Sequence, residues 1–174
     1  MSRPTRVTID LKALTDNAQA LRKQAGSRKF MAVVKADAYG HGATECAQAL
    51  SEHVDAFAVA ITEEALALRS AGIEQPILVL QGPHSADDLK AMASASLWPA
   101  ISNDDQLDWL KQSDARFDKV WIKCDTGMHR LGFSPDSVAT VRQTLASIGT
   151  GSTVLMSHLA DAEHSESAIT QRQK

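Results

Sequence analysis

Lys35 closes the apolar run 30–34 and opens the segment Lys-Ala-Asp-Ala-Tyr-Gly-His-Gly. The two-residue period of a strand puts it on the face of Met31 and Val33. A lysine flanked by apolar side chains loses hydration and favours its neutral form, an amine able to form a Schiff base with an aldehyde. A strand-end lysine can equally snorkel to solvent. Tyr39, the only tyrosine in the chain, follows four residues later, and its phenol could donate to a phosphate whose other end the lysine holds. Gly40 and Gly42 would let backbone approach such a ligand.

Two more polar residues end apolar runs, Lys123 after 119–122 and His158 after 153–157. By parity His158 shares a face with Val154 and Met156 and should point inward, as part of a site or as a structural hydrogen-bonded histidine. Lys123 reads either as functional or as an ordinary strand-end lysine paired with Asp125. The six histidines and two cysteines show no metal-ligand spacing, so no metal site is expected. Spacing alone argues neither a Ser-His-Asp triad nor paired carboxylates.

These residues need elements to position them. Leu11, Leu14, Ala18, Leu21 and Ala25 recur at helical spacing over 10–26, with Asp10 and Gly26 as caps. The period then changes and alternates. Strands are expected over 30–34, 56–61, 76–80, 97–101, 119–124 and 153–158, the fourth the weakest. Helices are expected over 42–51, 62–71 with Thr62 as cap, 85–95, 103–112 and from Ser134-Pro135 onward. Residues 161–174 could be a last helix or a frayed tail. Six strand candidates separated by helices predict an α/β fold with a parallel sheet, either an open doubly wound sheet or part of a (β/α)8 barrel. The open sheet would carry a glycine-rich phosphate turn, and Gly40-His-Gly42 is not one.

Composition limits the partners. With 18 Lys+Arg against 21 Asp+Glu the formal charge is −3, and no basic run supplies a footprint for nucleic acid. No membrane span is evident, and the first ten residues lack the apolar core of a signal peptide, which points to a cytoplasmic location. Two cysteines make no disulfide framework.

Val-Val-Lys-Ala-Asp-Ala-Tyr-Gly-His-Gly over 33–42 closely resembles the cofactor-lysine motif of the alanine racemase family, a PLP-dependent, fold-type III family. Lys-Cys-Asp-Thr-Gly-Met-His-Arg-Leu-Gly over 123–132 resembles a second signature, Met-Ser-His-Leu-Ala over 156–160 a third, and Arg-Val-Thr-Ile-Asp-Leu over 6–11 also fits. The resemblance implies pyridoxal 5'-phosphate (PLP) as cofactor, joined to Lys35 as a Schiff base, with Tyr39 on its phosphate and His158 near its ring. It makes Lys35 the catalytic base on one face of the amino acid and Arg130 the partner of the substrate carboxylate, a role suited to a planar, permanently charged fork. Without the motif Arg130 would read as a surface arginine. Lys123 becomes a candidate for carbamylation, which would turn a cation into an anion able to orient Arg130. His41 is expected to shape its loop rather than to catalyse.

The resemblance further implies a (β/α)8 barrel, here incomplete with about six βα units, since a whole barrel takes about 250 residues and this chain has 174. Residues 1–174 are expected to be the amino-terminal part of that barrel, with the C-terminal β domain absent. The full enzyme would be a homodimer interconverting L- and D-alanine for peptidoglycan in the cytoplasm. The opposite-face base, a C-terminal tyrosine, would lie outside this chain, so the isolated chain is expected to be a poor racemase with exposed strand edges. A second reading is a PLP-binding barrel of the homeostasis type that carries the cofactor without racemising; the 125–132 segment favours the racemase.

Overall fold

The computed structural model describes residues 4–164 and 166–174. The strands are β1 (Met31–Val33), β2 (Ala56–Val59), β3 (Ile77–Val79), β4 (Trp98–Ile101), β5 (Lys119–Lys123) and β6 (Ser152–Met156). The helices are α1 (Leu11–Ala25), α2 (Lys35–Gly40), α3 (Ala43–Leu50), α4 (Thr62–Ser70), α5 (Ala86–Ser94), α6 (Asp104–Gln112), α7 (Val138–Ser147) and α8 (Ala168–Gln173). Neighbouring strands pair in chain order, β1 with β2 and β3 through to β6. The chain forms two compact units: one runs up to Val59 and includes Glu63–Ile77, the other combines Ala60–Thr62 with Leu78–Lys174.

In the first unit, β1 and β2 pair in parallel with Met31 opposite Ala56 and Val33 opposite Ala58. All four β2 residues are buried, as a strand covered on both faces requires. Asp10 caps α1 by accepting from the Ala13 N–H at 2.9 Å, and Gly26 ends it in a left-handed φ of 60°. Asp55, just before β2, accepts from Arg22, from Lys29 at 2.9 Å and from the Phe30 N–H at 2.8 Å. It thereby joins the end of α1 to the entry of β1.

In the second unit, β3 to β6 pair in parallel, with Leu78 opposite Trp98, Ala100 opposite Trp121 and Lys123 opposite Met156. Leu89, Met92, Ile101, Leu110, Ile122 and Leu145 are almost wholly buried. Ser85 and Asn103 cap α5 and α6 by accepting from the Asp88 and Gln106 N–H groups. The Gln106 side chain is itself buried: Oε1 accepts from the Ser102 N–H at 2.8 Å, and Nε2 donates to the Gln81 carbonyl at 2.6 Å and the Pro83 carbonyl at 3.0 Å. These bonds fix the loop after β3, whose backbone would otherwise lose its hydrogen-bond partners on burial.

Several expectations change. The loop expected after Lys35 is a helical turn, and β1 ends at Val33. The helix expected from Ser134 starts with a 3-10 turn over Pro135–Ser137 before α7. Thr62 does not cap α4; its buried hydroxyl finds no hydrogen-bond partner among the described residues. The 161–174 tail ends in α8, because the Thr170 hydroxyl and the Gln173 side chain are buried against the preceding loops. Among the described residues, no helix is long and apolar enough to cross a membrane.

Candidate active site

In the first unit, Lys35 opens α2, and Ala36, Asp37, Ala38 and Tyr39 all have φ between 51° and 56° and ψ between 37° and 51°. That is a left-handed helical turn made of four L-residues, where only glycine is at ease. Lys35 is half-buried, and its ammonium lies 5.9 Å from the centre of the exposed Tyr39 ring. The turn is closed locally: the Ala38 N–H donates to the Val34 carbonyl at 2.9 Å and the Gly42 N–H to the Asp37 carbonyl at 3.0 Å. His41 Nδ1 donates to the Ala38 carbonyl at 2.9 Å, and the Asp37 carboxylate accepts from the Ala43 N–H at 2.7 Å, at the start of α3.

Two expectations for this segment need correction. Strand parity does not reach Lys35, because the left-handed turn begins immediately after it. The Met31 and Val33 face is also not a dry wall, since Val33 is 42% exposed. What brings the amine and the phenol together is the reversed winding of the backbone.

In the second unit, β5 ends at Lys123, only 6% exposed. Burial pushes its ammonium below the ordinary lysine range, and the neighbouring Arg130 charge pushes in the same direction. The loop after it folds back on the strand: the Phe133 N–H donates to the Lys123 carbonyl at 2.9 Å and the Asp125 N–H to the Phe133 carbonyl at 2.8 Å. Asp125 spends its carboxylate on its own loop, accepting from the Gly127 and His129 N–H groups at 3.0 and 2.9 Å and from His129 Nδ1 at 3.1 Å. Those backbone donors hold its carboxyl below the usual range. Asp125 still attracts the Lys123 charge, against the larger effects of burial and Arg130, while its hydrogen bonds cap the loop that presents the exposed Arg130.

Lys123, Arg130 and His158 come together with Asp125, Met128 and Ser157 around a crevice too tight to admit a water molecule. His158 lies beyond the end of β6 and is exposed, so parity with Val154 and Met156 does not set its direction. Its backbone is fixed instead. Gln173 Nε2 donates to the His158 carbonyl at 2.9 Å and to Thr126 Oγ1 at 3.1 Å, while Gln173 Oε1 accepts from the Ala160 N–H at 2.9 Å. Ser157 Oγ donates to the Cys124 carbonyl at 2.9 Å. One buried glutamine thus ties the loop after β5 to the loop after β6.

Residues 9–174 match the family model described as alanine racemase, N-terminal domain. The chain belongs to the alanine racemase family. It is 46% identical over 173 residues to the alanine racemase of Pseudomonas entomophila, a match covering 98% of this chain and 48% of that protein. It is 42% identical over 173 residues to the catabolic alanine racemase of Pseudomonas aeruginosa, again over 98% of this chain and 48% of the other. Among solved structures, it superposes on the alanine racemase of Acinetobacter baumannii with a TM-score of 0.85 and 34% identity, over 95% of this chain and 49% of that one. The racemase of E. faecalis gives a TM-score of 0.89 at 30% identity, over 98% and 48%. The chain therefore spans about half the length of the relatives it matches. The likeness bears out the expected architecture, βα units of an incomplete (β/α)8 barrel, over an open doubly wound sheet.

Sequence reading missed Glu64, whose Oε1 accepts from the Ala36 N–H at 2.6 Å, and it missed Gln106 and Gln173. Glu64 reads in sequence as a first-turn acid of α4, favoured there by the helix dipole. No local signal marks a contact between residues so far apart in the chain.

Proposed function

We propose that this chain is the amino-terminal barrel part of a PLP-dependent alanine racemase, a homodimeric cytoplasmic isomerase that interconverts L- and D-alanine and supplies the D-isomer for peptidoglycan. The observation that carries this reading is the left-handed turn that presents the Lys35 amine and the Tyr39 phenol together. Strained backbone of this kind persists where a site needs it. The donor set fits the cofactor: an amine for its aldehyde and a phenol for its phosphate, both on one short turn.

When bound, PLP supplies an electron sink for a carbanion at the substrate Cα. Tyr39 would hold the phosphate by donating its O–H. Lys35, as the neutral amine, accepts the α-proton on one face and, as the ammonium, returns it. Arg130 pairs its planar guanidinium with the substrate carboxylate. The family resemblance implies that His158, beside Arg130, would stand near the ring when the cofactor is bound. Lys123, buried and biased toward its neutral form, is suited to carbamylation: its nitrogen bonds the carbon of carbon dioxide, a proton leaves to solvent, and the resulting anion pairs with Arg130.

Incubation with PLP should give an absorbance band in the Schiff-base region that Lys35→Ala removes. Borohydride reduction should then leave the pyridoxyl group on Lys35; a label on another lysine with Lys35 untouched overturns the reading. Formation of D-alanine from L-alanine separates a racemase from a mere carrier of the cofactor.

A further inference from the structure

We propose that Glu64 is a positioning residue whose carboxylate clamps the left-handed turn and so keeps the Lys35 amine and the Tyr39 phenol at their working separation. The inference rests on the functional reading above for its purpose, but its geometry is independent of that reading.

A left-handed turn of Ala, Asp, Ala and Tyr does not hold itself. Each L-residue in that region is disfavoured by contact between its Cβ and the following carbonyl, so the surroundings must over-determine it. The bonds to Val34, Asp37, Ala38 and Ala43 join residues within 34–43; the buried Val34 at the entry is itself tied to β2 through the Ala58 carbonyl at 2.8 Å, but none of these bonds runs from the reversed residues 36–39 to another part of the fold. The Glu64 bond comes from 28 positions further along the chain. Glu64 is half-buried in the first turn of α4 and is flanked by the fully buried Ala65 and, one turn on, Leu68. Its acceptor thus stands on a packed helix.

The donor is equally telling. The Ala36 N–H belongs to the peptide plane that follows Lys35, so fixing it fixes the Lys35 Cα through one rigid plane. A short bond to an ionised acceptor is the strong kind. Directed at the first residue of the reversed winding, it opposes the unwinding that would swing Tyr39 away from Lys35.

The test uses the strain itself. Glu64→Ala should speed amide exchange at Ala38 and Gly42, shift the carbon resonances of Ala36–Tyr39 toward ordinary values, and weaken PLP binding, each by about ten- to a hundred-fold where a rate or affinity is read. Adding Ala36→Gly should restore exchange protection at Ala38 and most of the affinity, because glycine enters the left-handed region without steric penalty. Glu64→Gln, which keeps an acceptor oxygen, should fall between. A role for Glu64 confined to the stability of α4 predicts no rescue by glycine at position 36. Unchanged exchange and resonances in Glu64→Ala, or failure of the glycine to rescue, overturns the clamp. If the parent chain takes up no PLP, the functional reading falls and the exchange data alone decide the clamp.

Discussion

The Lys35 ammonium stands 5.9 Å from the centre of the Tyr39 ring, and the backbone that sets this separation winds left-handed from Ala36 to Tyr39. An ordinary right-handed turn would place the two side chains differently, so the conformation is part of the candidate site.

Because Ala36 is exposed and has φ 51°, Ala36→Gly removes a steric cost without removing packing. Left-handed alanine costs about 1–2 kcal/mol. Glycine loses about 0.4–1 kcal/mol more unfolded-state entropy on folding, so the net gain should lie between about zero and about 1.6 kcal/mol. Ala36→Val should destabilise. Urea midpoints of the two variants, one above and one below the parent, check this.

Gly132 has φ 128°, and a Cβ there would lie 2.6 Å from the Asp125 nitrogen and 3.0 Å from the Lys123 carbonyl oxygen. Those atoms lie at the end of β5 and the start of the loop that folds back on it. Gly132→Ala should cost about 2–4 kcal/mol and weaken amide protection at Asp125 and Phe133. Wild-type protection at both positions would refute the close approach.

Asp55 is held well below the ordinary carboxylate range by Arg22 first, then Lys29 and the Phe30 N–H. A depressed carboxyl stabilises the fold above its unfolded pKa, and the benefit is lost as pH falls toward its folded value. Asp55→Asn should therefore lower the denaturation midpoint by a constant amount above about pH 5, and the gap should narrow below about pH 4. A gap independent of pH down to acid unfolding would contradict the assignment.

For Lys123 the sign runs the other way along the pH axis. Its folded-state pKa is depressed by burial and by Arg130, so protonation opposes folding, and the penalty disappears once the unfolded lysine is also neutral. Lys123→Met should be more stable than the parent near neutral pH. Its advantage should shrink as pH rises toward the ordinary lysine range, measured in buffers freed of carbon dioxide.

Sequence by itself determined the alternation of helices and parallel strands, the caps at Asp10, Ser85 and Asn103, and the segments that carry Lys35, Lys123, Arg130 and His158. Those features depend on local periodicity and on residue types within a few positions of one another. Tertiary structure alone decided the rest. The left-handed turn defies the preferences of its own alanines and is tied to Glu64 in α4. The direction of Lys35 follows that turn rather than strand parity. Lys123 is buried at the end of β5, where the loop through Gly132 returns to bond its carbonyl, and His158 is tied to Thr126 through Gln173 in α8. The turn and the His158 anchor rest on contacts 28 and 47 positions apart and the loop over Lys123 on bonds back to its own strand, and the cost of a reversed backbone or a buried lysine can be met only where such contacts assemble.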